Sequence, residues 1–374
     1  MKAINFLDLK TANAQWEDEL VAAASKAIRS GRYINGESVK MFEHELAQYC
    51  QTSYAIAVSN GLDALRLILR AYIELGYITP GDEVIVPSNT YIATVLAVSD
   101  NNLTPVFVEP DLATMNLDIS LIEQHITSHT RAIMPVHLYG TPCWSLEMNE
   151  LAKRHNLKII EDNAQAIGAT CATVGLNGTN ITGGLGHAAG ISFYPTKNLG
   201  ALGDAGAITT NDKQLADAVR ALANYGSDRR YHNIYCGFNC RMDEIQAAIL
   251  SVKLKYVDSE NSRRANIAEI YDKNITTSHV VKPTILHDCK QVWHQYVLQV
   301  ENRDAFRSYL LDNGIETDVH YPTPPHLQPC YQRYKNNQLP KAVNLANSVV
   351  SLPISTNVGG QKALYICETI NKYS

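Results

Sequence analysis

The stretch Tyr54-Ala-Ile-Ala-Val-Ser-Asn-Gly-Leu-Asp-Ala-Leu-Arg-Leu-Ile-Leu69 holds a strand, a turn and the start of a helix in sixteen residues. Tyr54–Val58 is a short apolar run of buried-strand length. From Leu62 the period changes: Leu62, Leu65, Ile68, Leu69, Tyr72 and Ile73 fall on one side of a helix over residues 62–75. Between them Ser59-Asn60-Gly61 makes the turn. The free N–H groups and dipole at such a helix start form an anion site, although Ser-Asn-Gly is also what a plain N-cap looks like.

Downstream the same alternation repeats. Glu83–Val86, Thr104–Val108, Ala132–Val136 and Lys158–Ile160 read as strands, with helices over Ile92–Val98 and Leu146–His155. Strands separated by helices predict a parallel sheet covered on both faces. Ligands then bind beyond the carboxyl ends of the strands. After about residue 208 the chain becomes more helical, with helices expected over 212–222, 243–257 (Asp243 as N-cap) and 262–274. The alternating Val292–Val300 suggests a strand of a second, smaller α+β domain, and the helix over 304–313 stops at Gly314. The expected division is 1–250 for the large domain and 251–374 for the small one.

Three further features sit where such a sheet delivers its ligands. Tyr91 follows the strand at 83–86, placed to stack on a flat heterocycle or to pack in the core. Glu161-Asp162-Asn-Ala-Gln165 follows the strand at 158–160. A carboxylate there is costly unless paired; Asp162 is placed to hold a protonated ring nitrogen and Gln165 a ring hydroxyl, or the group is a helix-capping acid cluster. In Ile191-Ser-Phe-Tyr-Pro-Thr-Lys-Asn-Leu-Gly-Ala-Leu-Gly-Asp-Ala-Gly-Ala207, Lys197 is a lone cation between an apolar segment and a glycine-rich turn. In a pocket, desolvation favours its neutral amine, the form that reacts with carbonyls. Ser192 precedes it with a hydroxyl for a phosphate oxygen.

The bulk properties exclude other classes. The 374 residues carry a formal charge of -5, which gives no electrostatic case for nucleic acid or an anionic membrane. The eight cysteines form no Cys-x-x-Cys pair, so no metal site is expected and they read as reduced packing residues of a cytoplasmic protein. Residues 1–10 contain no long apolar core of a signal peptide, and no apolar run reaches the ~18 residues of a membrane span.

Together with Phe6–Leu9, Ser30-Gly-Arg-Tyr-Ile-Asn-Gly36, Pro87-Ser-Asn-Thr-Tyr91, Pro135–Gly140 and Gly237-Phe-Asn-Cys-Arg-Met-Asp243, these motifs run through the chain in an order that resembles the DegT/StrS-type nucleotide-sugar aminotransferases, of the aspartate-aminotransferase-like fold type I. The resemblance implies a mostly parallel central α/β sheet with a small C-terminal α+β domain, and pyridoxal 5'-phosphate bound as a Schiff base to Lys197. It implies Asp162 at the pyridine nitrogen, Gln165 at the ring oxygen, and Tyr91 stacked on the ring. Asn60, Gly61 and Ser192 would hold the phosphate, with Asn239 reaching in from the neighbouring subunit of a homodimer. Leu62 replaces a common threonine, removing one hydroxyl from the phosphate turn. The run Asn198–Gly206 is similar to members that move an amino group from glutamate to C-3 of a dTDP-linked 3-oxo-6-deoxyhexose, as for O-antigen or another surface glycan; amination at C-4 and a non-catalytic regulator are the alternatives. Tyr33, His320 and Tyr321 are the implied sugar contacts.

Overall fold

The computed structural model describes residues 3–373; Met1 and Lys2, where the expectation about a signal peptide begins, lie outside them. Seven strands form the central sheet: β1 (Tyr54–Val58), β2 (Glu83–Pro87), β3 (Thr104–Val108), β4 (Thr130–Ile133), β5 (Lys158–Asp162), β6 (Ala188–Ser192) and β7 (Gly206–Thr210). Their order is β1-β7-β6-β5-β4-β2-β3. All neighbours are parallel except β7, which runs antiparallel to both β1 and β6. The sheet is therefore mostly parallel, as its near-continuous apolar strands require when both faces are covered.

The helix Gly61–Glu74 follows β1 directly and packs its apolar side, Leu65, Ile68, Leu69 and Tyr72, into the core with Ile92–Ser99 and Lys213–Ala223 on one face of the sheet. On the other face Phe42 and Leu46 of the helix Glu37–Tyr49 meet Leu250 and Leu254 of the helix Glu244–Leu254. A separate core lies in the C-terminal part, where Ile267 and Tyr271 pack on Tyr296, Leu298, Val350 and Leu352. There Tyr296–Val300 is the middle strand of a three-stranded antiparallel sheet with Val280–Val281 and Val349–Leu352.

Two expectations need correction. The helix foreseen over 243–257 is shorter: it ends at Leu254, and a second helix runs Val257–Asn274. Asp243 does not cap with its side chain. Its neighbour Glu244 caps a different helix, accepting from the N–H groups of Gly36 (2.6 Å), Ser38 (2.9 Å) and Val39 (3.1 Å). That satisfies donors a helix start leaves open. A side chain on Gly36 would sit 2.7 Å from this carboxyl group. Among the described residues no helix is long and apolar enough to cross a membrane.

Candidate active site

Asp162 is the last residue of β5, buried because the strand lies inside the sheet. Its Oδ2 accepts from Thr94 Oγ1 (2.7 Å) and its Oδ1 from the N–H of Ala164 (3.1 Å). Desolvation raises its pKa, opposed by those two hydrogen bonds and by the charge of Lys197. The preceding Glu161 points the other way. It accepts from the N–H groups of Gly183 (2.7 Å) and Gly186 (2.8 Å) and meets His137 Nε2 at 2.9 Å. The N–H of Cys143 donates to His137 Nδ1 at 2.9 Å. That fixes the tautomer: Nδ1 is the acceptor, so Nε2 carries the hydrogen and donates to Glu161. One carboxylate is thus held by hydrogen bonds of the scaffold, and the other is left facing the crevice.

Lys197 arrives in the connection between the antiparallel strands β6 and β7. Its N–H closes on the carbonyl of Tyr194 (2.8 Å), and Ala201 N–H returns to Phe193 (2.8 Å). Gly200 permits the tight return, since a Cβ there would stand 2.3 Å from the Pro195 carbonyl oxygen. No hydrogen bond among the described residues engages the Lys197 amine. Part of the side chain stays open to the crevice, yet desolvation by the surrounding walls lowers its pKa to about 8, against the charge of Asp162, which raises it. A substantial fraction of neutral amine at physiological pH is what a carbonyl-reactive lysine needs.

Next to it, the start of the helix Gly61–Glu74 closes against the end of β6. The Asn60 side chain is a true N-cap: its oxygen accepts from Asp63 N–H (2.8 Å) and its amide donates to the Asp63 carboxylate (2.9 Å). It therefore acts by presenting the helix start, where the N–H groups of Gly61 and Leu62 have no partner among the described residues. Ser192 completes the concavity. A Cβ on Gly61 would fall 2.6 Å from Ser192 Cβ, and one on Gly206 only 2.3 Å from the Asn60 carbonyl carbon. Two unpartnered amides at a helix start, a serine hydroxyl and glycine-lined walls suit a phosphate.

Between cradle and lysine lie the remaining predicted residues. Gln165 takes the N–H of Tyr139 on its oxygen (2.6 Å) and donates to the Tyr321 hydroxyl (2.9 Å). Tyr91 is 54% exposed, with its ring 5.2 Å from that of Tyr321, so it lines the opening and is not core packing. His320 packs between Phe6 and Tyr321, and its Nδ1 meets Ser351 Oγ at 2.8 Å. Burial lowers its pKa, opposed by Asp318 and reinforced by Lys197. Tyr33 and Asn239 are exposed, and among the described residues no hydrogen bond or ring contact joins them to this group. Asn239 forms only an isolated bridge with Asn224.

Sequence reasoning missed Thr94, His137, Glu161 and His294. The imidazole of His294 is buried, its Nδ1 3.1 Å from Asn198 Oδ1. Asn198 spends its amide on Asn261 Oδ1 (2.7 Å) and the Val292 carbonyl (2.9 Å). Its oxygen must therefore accept, and His294 Nδ1 carries the hydrogen. Burial, helped by Lys197 and Arg264, holds His294 well below the usual imidazole range. Its segment reads as an ordinary strand, and only Asn198, beside the lysine, hinted at a polar anchor.

Residues 14–371 match the DegT/DnrJ/EryC1/StrS aminotransferase family. The chain is 49% identical over 370 residues, covering 99% of both proteins, to a dTDP-3-amino-3,6-dideoxy-alpha-D-galactopyranose transaminase of Aneurinibacillus thermoaerophilus. It is 44% identical over 374 residues to a dTDP-3-amino-3,4,6-trideoxy-alpha-D-glucose transaminase of Streptomyces venezuelae, covering 99% of this chain and 96% of that one. The crystal structure of S. venezuelae DesV in complex with a ketimine intermediate superposes with a TM-score of 0.94 at 44% identity, over 100% of this chain and 98% of the other.

Proposed function

The chain belongs to the DegT/DnrJ/EryC1/StrS aminotransferase family, and from that premise we propose that it transfers the amino group of glutamate to C-3 of a dTDP-linked 3-oxo-6-deoxyhexose. The observation that carries this reading is the 49% identity, end to end, with a transaminase of that sugar class. That the chain is a pyridoxal-phosphate-dependent transaminase rests on the family and on solved relatives holding that cofactor or its aminated form.

The residues present fit this cofactor: an amine without a partner, a carboxylate at the crevice floor and a phosphate-sized cradle. Lys197 would hold the aldehyde carbon, Asp162 the ring nitrogen and Gln165 the ring oxygen, with Tyr91 against the ring and Gly61, Ser192 and the Asn60-capped helix start around the phosphate. When bound, the cofactor supplies an electron-withdrawing ring that takes up the electron pair of a deprotonated α-carbon. The Lys197 amine is the proton carrier: it takes the proton from the α-carbon of glutamate and later delivers one to the sugar carbon receiving nitrogen. Its depressed pKa, about 8, suits both roles near neutrality. Asp162, as the anion, would hold the ring nitrogen in its protonated form and so keep the ring able to take up that electron pair. Tyr33, His320 and Tyr321 would contact the sugar.

We further propose a division at residues 1–250 and 251–374, and a homodimer in which Asn239 reaches the partner's phosphate site. The exposure of Asn239, and of Tyr225, Tyr231 and Ile234 near it in sequence, supports this arrangement.

The regiochemistry is tested by loading the protein with pyridoxal phosphate, adding glutamate, and offering dTDP-3-oxo- and dTDP-4-oxo-6-deoxyhexoses separately. Nitrogen on C-3 of the product, read by NMR, is expected; amination of the 4-oxo sugar alone would overturn the C-3 assignment. The cradle has its own prediction. Gly61→Ala places a methyl against Ser192 and is expected to weaken cofactor binding by at least about tenfold, the size of one lost charge-assisted hydrogen bond. Equilibrium dialysis of the apoprotein checks this, and unchanged affinity would move the phosphate elsewhere.

A further inference from the structure

Arg264 is a buried guanidinium without an ion-pair partner among the described residues. It lies on the helix Val257–Asn274 and is 8% exposed. Its Nη1 reaches the carbonyls of Trp293 and His294, each at a long 3.4 Å. Its Nε is enclosed without any partner, and no hydrogen bond among the described residues involves Nη2. The acid one turn before it, Glu260, is bonded to the neighbouring Arg263 at 2.9 Å. No carboxylate among the described residues forms an ion pair with Arg264. Desolvation pulls its pKa down to about 10, partly offset by the charge of Glu260. A cation enclosed this way is costly unless a counter-charge arrives.

The place it occupies suggests what arrives. Arg264 lines a cleft with Phe6, Thr196, His294, His320 and Ser355. Thr196 is the residue before Lys197, and the charge of Lys197 is felt by both His294 and His320. The cleft joins the C-terminal part of the chain to the Lys197 loop, and Arg264 also lines the adjoining cavity that Lys197, Asn198 and Glu260 line. The cleft's lining carries one guanidinium, Arg264, and one carboxylate, Asp318, which faces His320 at 3.8 Å.

Resting on the glutamate-dependent reading above, we infer that Arg264 is the binding residue for a carboxylate of the amino-acid donor. The planar guanidinium has open donors for a carboxylate. The two weak carbonyl contacts orient it without neutralising it. The ketosugar brings no carboxylate to its half of the reaction, only the diphosphate of its nucleotide.

The test separates the two half-reactions in the cofactor-loaded enzyme by stopped-flow absorbance. Arg264→Gln is expected to raise the glutamate concentration for half-maximal rate by roughly 10- to 100-fold, the range for a lost charge-assisted hydrogen bond. The ketosugar half-reaction of the pre-aminated enzyme is expected to stay within about twofold, and Arg264→Lys to recover part of the glutamate affinity. Should Arg264→Gln fail to fold, Arg264→Lys carries the comparison alone, with selective weakening toward glutamate expected. Equal loss in both halves, or no loss in either, overturns the inference and leaves Arg264 a strut for the 293–294 backbone. A wild-type enzyme inert to glutamate but aminated by another donor would instead overturn the reading on which the inference rests.

Discussion

Lys197→Ala is expected to abolish turnover while leaving the protein folded and able to bind pyridoxamine phosphate. The lysine makes no hydrogen bond with its amine, so its loss breaks no network. Removing the lysine also relieves the burial cost of its charge, the same desolvation that lowers the pKa of the amine to about 8, below the ordinary lysine range. The cradle at Gly61 and Ser192 is untouched and should keep its grip on the phosphate. The rate has no such substitute: a positioned proton carrier contributes about 10²–10⁴-fold, and the covalent attachment is lost with it. A coupled assay for 2-oxoglutarate reads turnover, and dialysis reads retained pyridoxamine phosphate. Borohydride reduction of the loaded wild type should fix the cofactor on the Lys197 peptide and on no other. Full activity in the variant would place the chemistry elsewhere and sink the site assignment.

How much of this was legible in the sequence depends on the distance over which each residue acts. The strand, turn and helix from Tyr54 onward were readable because apolar period and the Asn60 cap are local; the structure shifts the helix by a single residue at each end. The antiparallel β7 was not foreseen. Gly206–Thr210 carries no mark of direction, and its orientation follows from the short Lys197 connection folding back on β6. Asp243 looked like a cap because it precedes a helix, yet the cap that forms joins Glu244 to residues more than two hundred positions away. The same limit hid His137 and His294. Each is fixed by a partner distant in sequence, Glu161 and Asn198, and an isolated histidine in an apolar segment says nothing about its partner. Asn60 was legible as a residue but not in its function, since its side chain is spent on Asp63 and only the amides behind it remain for an anion.

Asp162→Asn is expected to separate stability from catalysis. Asparagine has the shape of aspartate, and its two ends can use the partners already present. Its oxygen can accept from Ala164 N–H. Its amide can donate to Thr94 Oγ1, because Thr94 and Thr90 hydroxyls lie 2.8 Å apart and either can be the donor, leaving Thr94 free to accept. The folded apoprotein should therefore tolerate the change. The sign of the electrostatic effect follows from the raised pKa. A carboxyl whose folded pKa exceeds its unfolded one costs stability as pH rises through the folded value, and that cost is absent at low pH where the acid is neutral in both states. The apo variant should thus match or exceed the wild type in thermal midpoint near neutral pH, with the difference shrinking on acidification. Its amine at 197 should titrate lower than in the wild type, since the anion that raises it is gone. Turnover should fall by about 10²-fold or more, because a neutral amide cannot hold the ring nitrogen protonated, and the ring then takes up the electron pair less readily. Calorimetry of the apoprotein against pH and turnover of the loaded enzyme check the two halves. A variant with near-normal turnover would remove Asp162 from the chemistry, and one destabilised at neutral pH would show that its hydrogen bonds outweigh the burial of its charge.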